Sequence, residues 1–153
     1  MKDKVFIDTN IWIYGLTESK LKVDKGKREI SLKLFENLVE KGSSICISMQ
    51  VVNECHWNFV KRFDIEDILA IKLIQENIIS ISEVKDITLS VYELSNQIRH
   101  KYNLSFWDSL IVASALENEC SILYTEDLQH EQVIEGKLKI INPFEEQGQR
   151  KNK

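Results

Sequence analysis

The sequence predicts an α/β fold with three layers, in which a mostly parallel central sheet lies between helices. Short apolar runs typical of buried strands alternate with longer segments that carry apolar residues at helical spacing. Strands and helices that alternate in this way favour parallel strands joined by helical crossovers. The 153 residues contain no repeat and no Pro/Gly-rich linker. We therefore predict a single domain over residues 1–144, followed by a polar, disordered tail at 145–153.

The first half of the chain begins with a strand and two helices. The apolar run at residues 5–7 predicts the first strand, and a helix is predicted to start at Thr9. Apolar residues at helical spacing predict a second helix over about 28–41, which stops at Gly42. The run at 45–47 then predicts the second strand.

The middle of the chain predicts a helical pair, a strand and another helix. Ser48 is expected to open a helix that reaches about residue 62, and Asp64 to cap the next helix. The apolar run at 78–81 predicts the third strand. Apolar residues at 87, 91, 94 and 98 predict a helix that ends near His100.

The last third of the chain predicts one helix and two strands. Residues 106–113 predict a helix that is apolar on nearly every face and therefore buried. A strand is predicted at 121–124 and a short strand at 139–141. With these two strands, the pattern of a sheet between helical layers is complete.

Composition favours a soluble cytoplasmic protein without membrane contact. Cys46, Cys55 and Cys120 are odd in number and lack close pair spacing, which argues against a disulfide framework and a zinc site. No window approaches the length of a membrane span. The formal net charge of -4 gives no bulk attraction to nucleic acid. Acids that bind cations would themselves lower the net charge, so RNA is not excluded as a substrate.

Two acidic residues follow predicted strands. Asp8 comes directly after the first strand, and Asp127 follows the strand at 121–124. In an open parallel sheet, ligands bind outside the carboxyl ends of the strands, so both carboxylates are well placed for chemistry. Helix capping is an alternative role for Asp8, and a turn or cap formed by Thr125 or Asp127 is an alternative at the second strand. Glu126 competes with its neighbour, and these residues alone do not choose between Glu126 and Asp127.

Two further acids lie on predicted helices. Glu54 borders the apolar stripe of the helix after the second strand, although a solvated surface glutamate is the ordinary alternative. Asp108 interrupts the apolar helix near residue 106, where a buried carboxylate must find a partner. Ser105 and Asp108 also match the S-x-x-D capping box. Capping and metal binding are compatible, because a carboxylate has two oxygens.

Convergence of the four acids would imply a metal site. Two unit charges 4 Å apart repel by about 4 kcal/mol at an effective dielectric near 20, so an empty cluster is unfavourable. Hard divalent cations relieve this repulsion, and Mg2+ binds through a few carboxylates while keeping water ligands. Mg2+ or Mn2+ is therefore the expected cofactor.

The order and context of these acids resemble the PIN-domain ribonucleases, especially the VapC-type toxins of type II toxin-antitoxin pairs. The resemblance covers nearly the whole chain, and its motifs are specific only in combination. They are FIDTN at 6–10, VNE at 52–54, SFWDSLI at 105–111 and LYTEDL at 123–128. The resemblance implies a PIN-like fold with Asp8, Glu54, Asp108 and Asp127 as the catalytic and metal-binding set. It also favours Asp127 over Glu126.

The same resemblance implies a Mg2+- or Mn2+-dependent endoribonuclease that leaves 5'-phosphate and 3'-hydroxyl ends. It implies a homodimer and a small antitoxin protein that docks near the acidic groove. Asn10 and Thr125 become candidates for orienting a metal-bound water or phosphate, although either could be a helix cap. One segment departs from the family pattern, because residues 131–135 separate His130 from Gly136, where many such toxins carry an immediate glycine.

Other roles stay open at this stage. An RNA-maturation nuclease with a PIN domain, or a noncatalytic RNA- or partner-binding module whose acids serve as caps, would share these motifs. The basic run over residues 20–28 is interrupted by acids and is more typical of a solvated loop than of a phosphate site. Trp12, Trp57 and Trp107 lie in apolar contexts that favour the core or an interface over base stacking.

Overall fold

The computed structural model describes residues 3–145, in which one six-stranded sheet is flanked by six α-helices. The strands are β1 (Lys4–Ile7), β2 (Ser44–Ser48), β3 (Glu83–Lys85), β4 (Ile122–Tyr124), β5 (Val133–Ile134) and β6 (Leu138–Ile141). The helices are α1 (Thr9–Leu16), α2 (Lys27–Glu40), α3 (Met49–Lys61), α4 (Asp67–Asn77), α5 (Leu89–Tyr102) and α6 (Phe106–Glu117). The sheet order is β3-β2-β1-β4-β6-β5, and only β5 is antiparallel to its neighbour. The predicted three-layer α/β/α fold is confirmed.

The central strand β1 gives the site a rigid base. Val5, Phe6 and Ile7 are fully buried, as expected for a parallel strand covered on both faces. Trp12 of α1 donates its indole N–H to the carbonyl of Ile7 at 3.2 Å and stacks on Phe35 of α2, with ring centroids 4.7 Å apart. The first helices are thereby fixed against the end of β1.

The chain order reverses at β1, which creates a crevice at the carboxyl edge of the sheet. After β1 the chain forms β2 on one side, whereas β4 pairs with β1 on the other side. Ile7 is in register with Tyr124, and the N–H of Asp8 donates to the carbonyl of Tyr124 at 3.0 Å. The segments that follow β1 and β4 therefore start side by side. Ligands of doubly wound sheets bind at this kind of switch point.

The prediction of a strand at 78–81 was wrong. Ile78 ends α4 and is buried, and Ile79–Ile81 form a short 3₁₀ helix whose isoleucines are about 40% exposed. The third strand is instead β3, an edge strand of three residues in which Lys85 pairs with Glu83 at 2.6 Å. Charged residues on a short edge strand limit further strand pairing. They also leave the strand without the apolar run by which the other strands were predicted.

Two other local predictions need correction. Asp64 does not cap the helix after α3, because it adopts a left-handed φ of 54° and α4 begins after Glu66. Residues 131–135, where the sequence departs from the family pattern, lead into a hairpin that was not predicted. Its strands β5 and β6 are antiparallel, and left-handed Glu135 and Gly136 form the turn between them. The last strand is therefore paired on both sides.

Cys46, Cys55 and Cys120 are free thiols buried in the core. Between residues 3 and 145, no helix is long and apolar enough to cross a membrane. The predicted disordered tail at 145–153 lies, apart from its first residue, outside the described residues.

Candidate active site

Asp8 occupies the centre of the crevice and is held by both of its oxygens. It is the N-cap of α1, and Oδ1 accepts a hydrogen bond from the N–H of Thr9 at 2.7 Å. Oδ2 accepts from the hydroxyl of Thr125 at 2.8 Å. The side chain is only 7% exposed. The carboxylate of Asp8 therefore caps α1 and at the same time belongs to the acidic site.

Glu54 reaches the crevice from α3. Its Oε1 accepts a hydrogen bond from the hydroxyl of Thr9 at 3.2 Å. Thr9 thus contacts both acids, through its backbone N–H at Asp8 and through its side chain at Glu54. The half-buried position of Glu54 agrees with the predicted place at the border of the apolar stripe.

Asp108 lies in the first turn of α6, at the same edge of the sheet. A helix that precedes a parallel strand runs antiparallel to it, so the N-terminus of α6 lies at the carboxyl edge of β4. Ser105 is the N-cap, and its hydroxyl accepts from the N–H of Asp108 at 3.1 Å. This bond confirms the cap predicted from S-x-x-D, and it leaves the carboxylate of Asp108 half-buried beside the crevice.

Asp127 follows β4 and lies at the rim of the crevice, where it is exposed. Its N–H donates to the hydroxyl of Thr125 at 3.1 Å. The same hydroxyl donates to Asp8, so Thr125 connects the segments that follow β1 and β4. Thr125 itself is 1% exposed and cannot turn away without breaking both hydrogen bonds.

Burial and like charge make Asp8 a weak acid. Burial is the main cause that raises its pKa to about 7, and the charges of Asp127 and Glu54 raise the pKa further. Hydrogen bonds from Thr9 and Thr125 favour the charged carboxylate and oppose this rise. The charged form of Asp8 is therefore unfavourable in this position, and the two hydrogen bonds compensate for only part of that effect.

The other acids act on one another in the same way. Burial and then the charge of Asp108 raise the pKa of Glu54, against a hydrogen bond from Gln50. Although the residue is exposed at the rim, the protein atoms around the crevice partly desolvate the Asp127 carboxylate and raise its pKa, as do the charges of Asp108, Glu126 and Glu54. The charges of Glu54, Asp108 and Asp127 therefore each raise the pKa of at least one other acid of the set. Four segments distant in sequence meet in one negative field.

The donor chemistry of this cluster fits a hard divalent cation. All four side chains offer carboxylate oxygens, which are the donors that Mg2+ and Mn2+ prefer. Within residues 3–145, however, no three acidic, histidine or cysteine side chains converge closely enough to hold an ion. Closing a coordination shell therefore requires the carboxylates to rotate toward one point.

Glu126 is directed away from the four acids into a network that the sequence did not reveal. Its Oε1 accepts from the hydroxyl of Tyr14 at 2.7 Å and from the amide of Asn10 at 3.1 Å. Its Oε2 lies 2.9 Å from Nζ of Lys27, and the same ammonium lies 3.4 Å from Oδ1 of Asp24. These contacts occupy Glu126 and leave Asp127 as the acid that faces the cluster. Asn10 binds Glu126 instead of any of the four acids.

The signal for this network was weak in the sequence. Lys27 belongs to the basic run over residues 20–28, which we interpreted from the sequence as more typical of a solvated loop. Its Nζ also lies 4.8 Å from the ring centroid of Tyr14 and 5.1 Å from that of Phe144. Only the pairing of residues more than 90 positions apart distinguishes this lysine from its solvated neighbours.

The tryptophans divide into one core residue and two exposed residues. Trp12 is fully buried, as predicted, whereas Trp57 and Trp107 are 65% and 62% exposed and do not belong to the core. Both border a groove of about 520 Å³ that also includes Glu54. The segment before Asp108 was expected to be buried, and it instead presents an aromatic surface next to the acids.

Fold and site together define an α/β/α protein with an acidic centre at the switch point of a parallel sheet. The sequence model of the PIN domain matches residues 5–135, which is most of the chain. The chain belongs to the PIN domain family.

Comparison with solved structures supports the fold. The chain is 21% identical to a protein in a toxin-antitoxin complex from Klebsiella pneumoniae, with 91% of this chain and 97% of that chain covered and a TM-score of 0.61. It is 20% identical to a chain of DNA-bound VapBC from Salmonella typhimurium, with 92% and 98% covered and a TM-score of 0.66. For VapC20 of Mycobacterium tuberculosis, a toxin that cleaves the sarcin-ricin loop, the identity is 17%, the coverage 80% and 89%, and the TM-score 0.61. No curated protein matches the chain in sequence.

Proposed function

We propose that this chain is a divalent-metal-dependent endoribonuclease and the toxin of a type II toxin-antitoxin pair. The observation that supports this most strongly is the mutual charge effect of Asp8, Glu54, Asp108 and Asp127 at the switch point of a PIN fold. Similar solved structures include a toxin that cleaves the sarcin-ricin loop and a toxin-antitoxin complex. A shared negative field at this position is a place to bind a cation and, through it, a phosphate.

The four carboxylates would hold Mg2+ or Mn2+, which when bound supplies an activated water and neutralises charge on the scissile phosphate. The N–H of Thr9 and the hydroxyl of Thr125 fix the two oxygens of Asp8 in one orientation. The hydroxyl of Thr9 holds Glu54 by a hydrogen bond to Oε1. Hydrolysis would leave 5'-phosphate and 3'-hydroxyl ends, with no side chain of the protein serving as a covalent nucleophile.

The proposal includes two protein partners. One is a small antitoxin protein, which would inhibit by docking near the acidic groove and blocking access of metal or RNA. The other is a second copy of the chain in a homodimer. Both follow from the family resemblance, and the antitoxin is also supported by similar structures described as toxin-antitoxin assemblies. Mixing the purified pair should suppress cleavage, and full activity within a stable complex would contradict this mode of inhibition.

The direct test is cleavage of an end-labelled structured RNA pool by wild-type protein and Asp8→Asn in EDTA, Mg2+ and Mn2+ buffers. Cleavage by the wild type alone, and only with metal, is the expected result. Asp8→Asn keeps the size of the side chain and removes its charge, which makes it a matched control. Equal cleavage by both proteins would refute the assignment of Asp8.

A noncatalytic RNA- or partner-binding module is the second candidate. It is favoured by the two hydrogen bonds that already occupy Asp8 and by the separation of the carboxylates between residues 3 and 145. Such a module would bind RNA or a protein without cutting in any metal buffer. Metal-stimulated cleavage would exclude it. An RNA-maturation nuclease would instead cleave with metal but have no antitoxin gene beside its own.

A further inference from the structure

An aromatic groove adjoins the acidic cluster and shares Glu54 with it. We call it the tryptophan groove; its lining includes Gln50, Asn53, Glu54, Trp57, Ile87 and Trp107. Its volume is about 520 Å³, which is large enough for one or two planar rings. Glu54 is the one charged residue among the lining residues of the described chain. The groove is therefore apolar and amide-lined along its length and acidic at one end.

The two indoles are exposed although tryptophan is usually highly buried. Trp57 is 65% exposed on α3, and Nζ of Lys61 lies 5.5 Å from its ring centroid. Trp107 is 62% exposed at the start of α6 and meets the ring of Phe106 edge-on, with centroids 4.9 Å apart. Exposed aromatic rings that adjoin a polar site are typical of a binding surface.

A buried acceptor at the base of the groove indicates the chemistry of the ligand. Gln50 is 6% exposed, and its amide N–H donates to the carbonyl of Trp107 at 3.3 Å. Its Oε1 is buried and accepts no hydrogen bond from the described residues. A buried carbonyl without a donor is unfavourable, so a ligand with an N–H group would be stabilised there. The groove thus offers aromatic faces and a hydrogen-bond acceptor together.

Electrostatics favours an RNA base over a phosphate as the group that the groove holds. The protein carries a net charge of -4 and four acids at the crevice, so the backbone of a nucleic acid is repelled wherever no cation intervenes. Affinity must then come from groups that carry no charge. Stacking of bases on aromatic side chains supplies such affinity to single-stranded RNA, and amides read base edges.

We propose that the tryptophan groove binds unpaired nucleobases next to the scissile phosphate, with Trp57 and Trp107 as stacking residues and Gln50 as acceptor for a base N–H. This inference rests on the proposed function, because it takes RNA as the substrate. Every unpaired base can supply the N–H, because adenine, cytosine and guanine carry an exocyclic amine and uracil carries N3–H, so Gln50 adds affinity without selecting the base. A protein partner is the competing occupant, but its apolar surface would bury the carboxylate of Glu54 without a counter-charge.

The test measures binding of fluorescein-labelled heptanucleotides of adenosine, cytidine and uridine by fluorescence anisotropy, in EDTA so that no cleavage occurs. Trp57→Ala and Trp107→Ala should each weaken binding by about tenfold, in line with the loss of one stacked base. Phe at either position should restore most of the affinity. Tyr92→Ala removes an exposed aromatic of α5 outside the groove and should bind as the wild type does. Gln50→Leu removes the acceptor and should weaken binding of all three oligonucleotides.

Two results would overturn the inference. One is unchanged binding by both alanine variants; if the wild type still cleaves RNA with metal, the proposed function survives this failure. The other is a change from dimer to monomer in sedimentation of Trp57→Ala or Trp107→Ala with unchanged affinity per chain, which would make the groove a protein interface. Tryptophan-dependent binding without cleavage would instead support the groove and refute the nuclease.

Discussion

Lys27 Nζ lies 2.9 Å from Oε2 of Glu126, and this ion pair separates two adjacent acids into different roles. Glu126 is paired with the ammonium and bound by Tyr14, whereas Asp127 interacts with the charges of Asp108 and Glu54. Without the lysine, a fifth carboxylate would lie beside four that already repel one another. The pair therefore both anchors the segment after β4 and limits the negative charge of the site.

Glu126→Gln and Asp127→Asn should differ in their effect on RNA cleavage. Asp127→Asn removes a proposed metal ligand and should lower metal-dependent cleavage by about 100-fold or more. Glu126→Gln keeps an acceptor for Tyr14 and should lower cleavage by about tenfold or less, an effect on position only. Initial rates on one RNA at saturating Mg2+ would measure both. Equal losses would show that Glu126 also serves the site.

Lys27→Met should destabilise the fold. Lys27 is 18% exposed in its side chain and pairs with both Glu126 and Asp24, so its loss leaves two carboxylates without their cation. We expect the free energy of unfolding to fall by about 1–3 kcal/mol, as for a partly buried charged hydrogen bond. Urea unfolding followed by circular dichroism would measure it. Arg28→Met is the control, because its pair with Glu18 is exposed and worth less than about 1 kcal/mol.

Much of the site was predictable because the signals are local. Asp8 and the adjacent pair Glu126 and Asp127 each follow a short apolar run, and parallel strands place their carboxyl ends at one edge. The choice of Asp127 over Glu126 came from the family resemblance. The cap at Ser105 was likewise visible from a spacing of three residues. Positions of this kind depend on the backbone pattern and require no knowledge of distant side chains.

The rest depended on contacts that the sequence does not encode locally. The pairing of Lys27 with Glu126 joins residues 99 positions apart. The exposure of Trp57 and Trp107 depends on which faces of α3 and α6 stay uncovered, and their apolar neighbours in sequence suggested only the core or an interface. The strand β3 was missed because two of its three residues are charged and it is recognisable only by its pairing with β2. The sequence predicts elements more reliably than their exposed faces.

Thr125→Val should impair cleavage and shift its pH dependence. The hydroxyl of Thr125 donates to Asp8 and lowers the pKa of that carboxyl, so its removal should raise the pKa of Asp8. We expect cleavage to fall by about tenfold and the acidic limb of the pH profile to move to higher pH. Thr125→Ser keeps the hydroxyl and should restore the wild-type profile. A profile that does not move in the valine variant would argue against the role of this hydrogen bond.

The metal-free protein should become less stable as the pH rises toward 7. The folded-state pKa of Asp8 is about 7, above its ordinary value of 3.8, so between these values the folded protein keeps a proton that the unfolded chain has released. The stability that Asp8 contributes is fully present below about pH 4. As the pH rises through 7, the free energy of unfolding falls by up to about 4 kcal/mol because of this group. The raised pKa values of Glu54 and Asp127 act in the same direction. Urea unfolding in EDTA between pH 4.5 and 8 would measure the slope, which Asp8→Asn should flatten.

Because a cation competes with these protons, added Mg2+ should stabilise the wild type more at pH 8 than at pH 5. An equal effect of Mg2+ at both pH values, or a slope unchanged in Asp8→Asn, would contradict a shared acidic metal site.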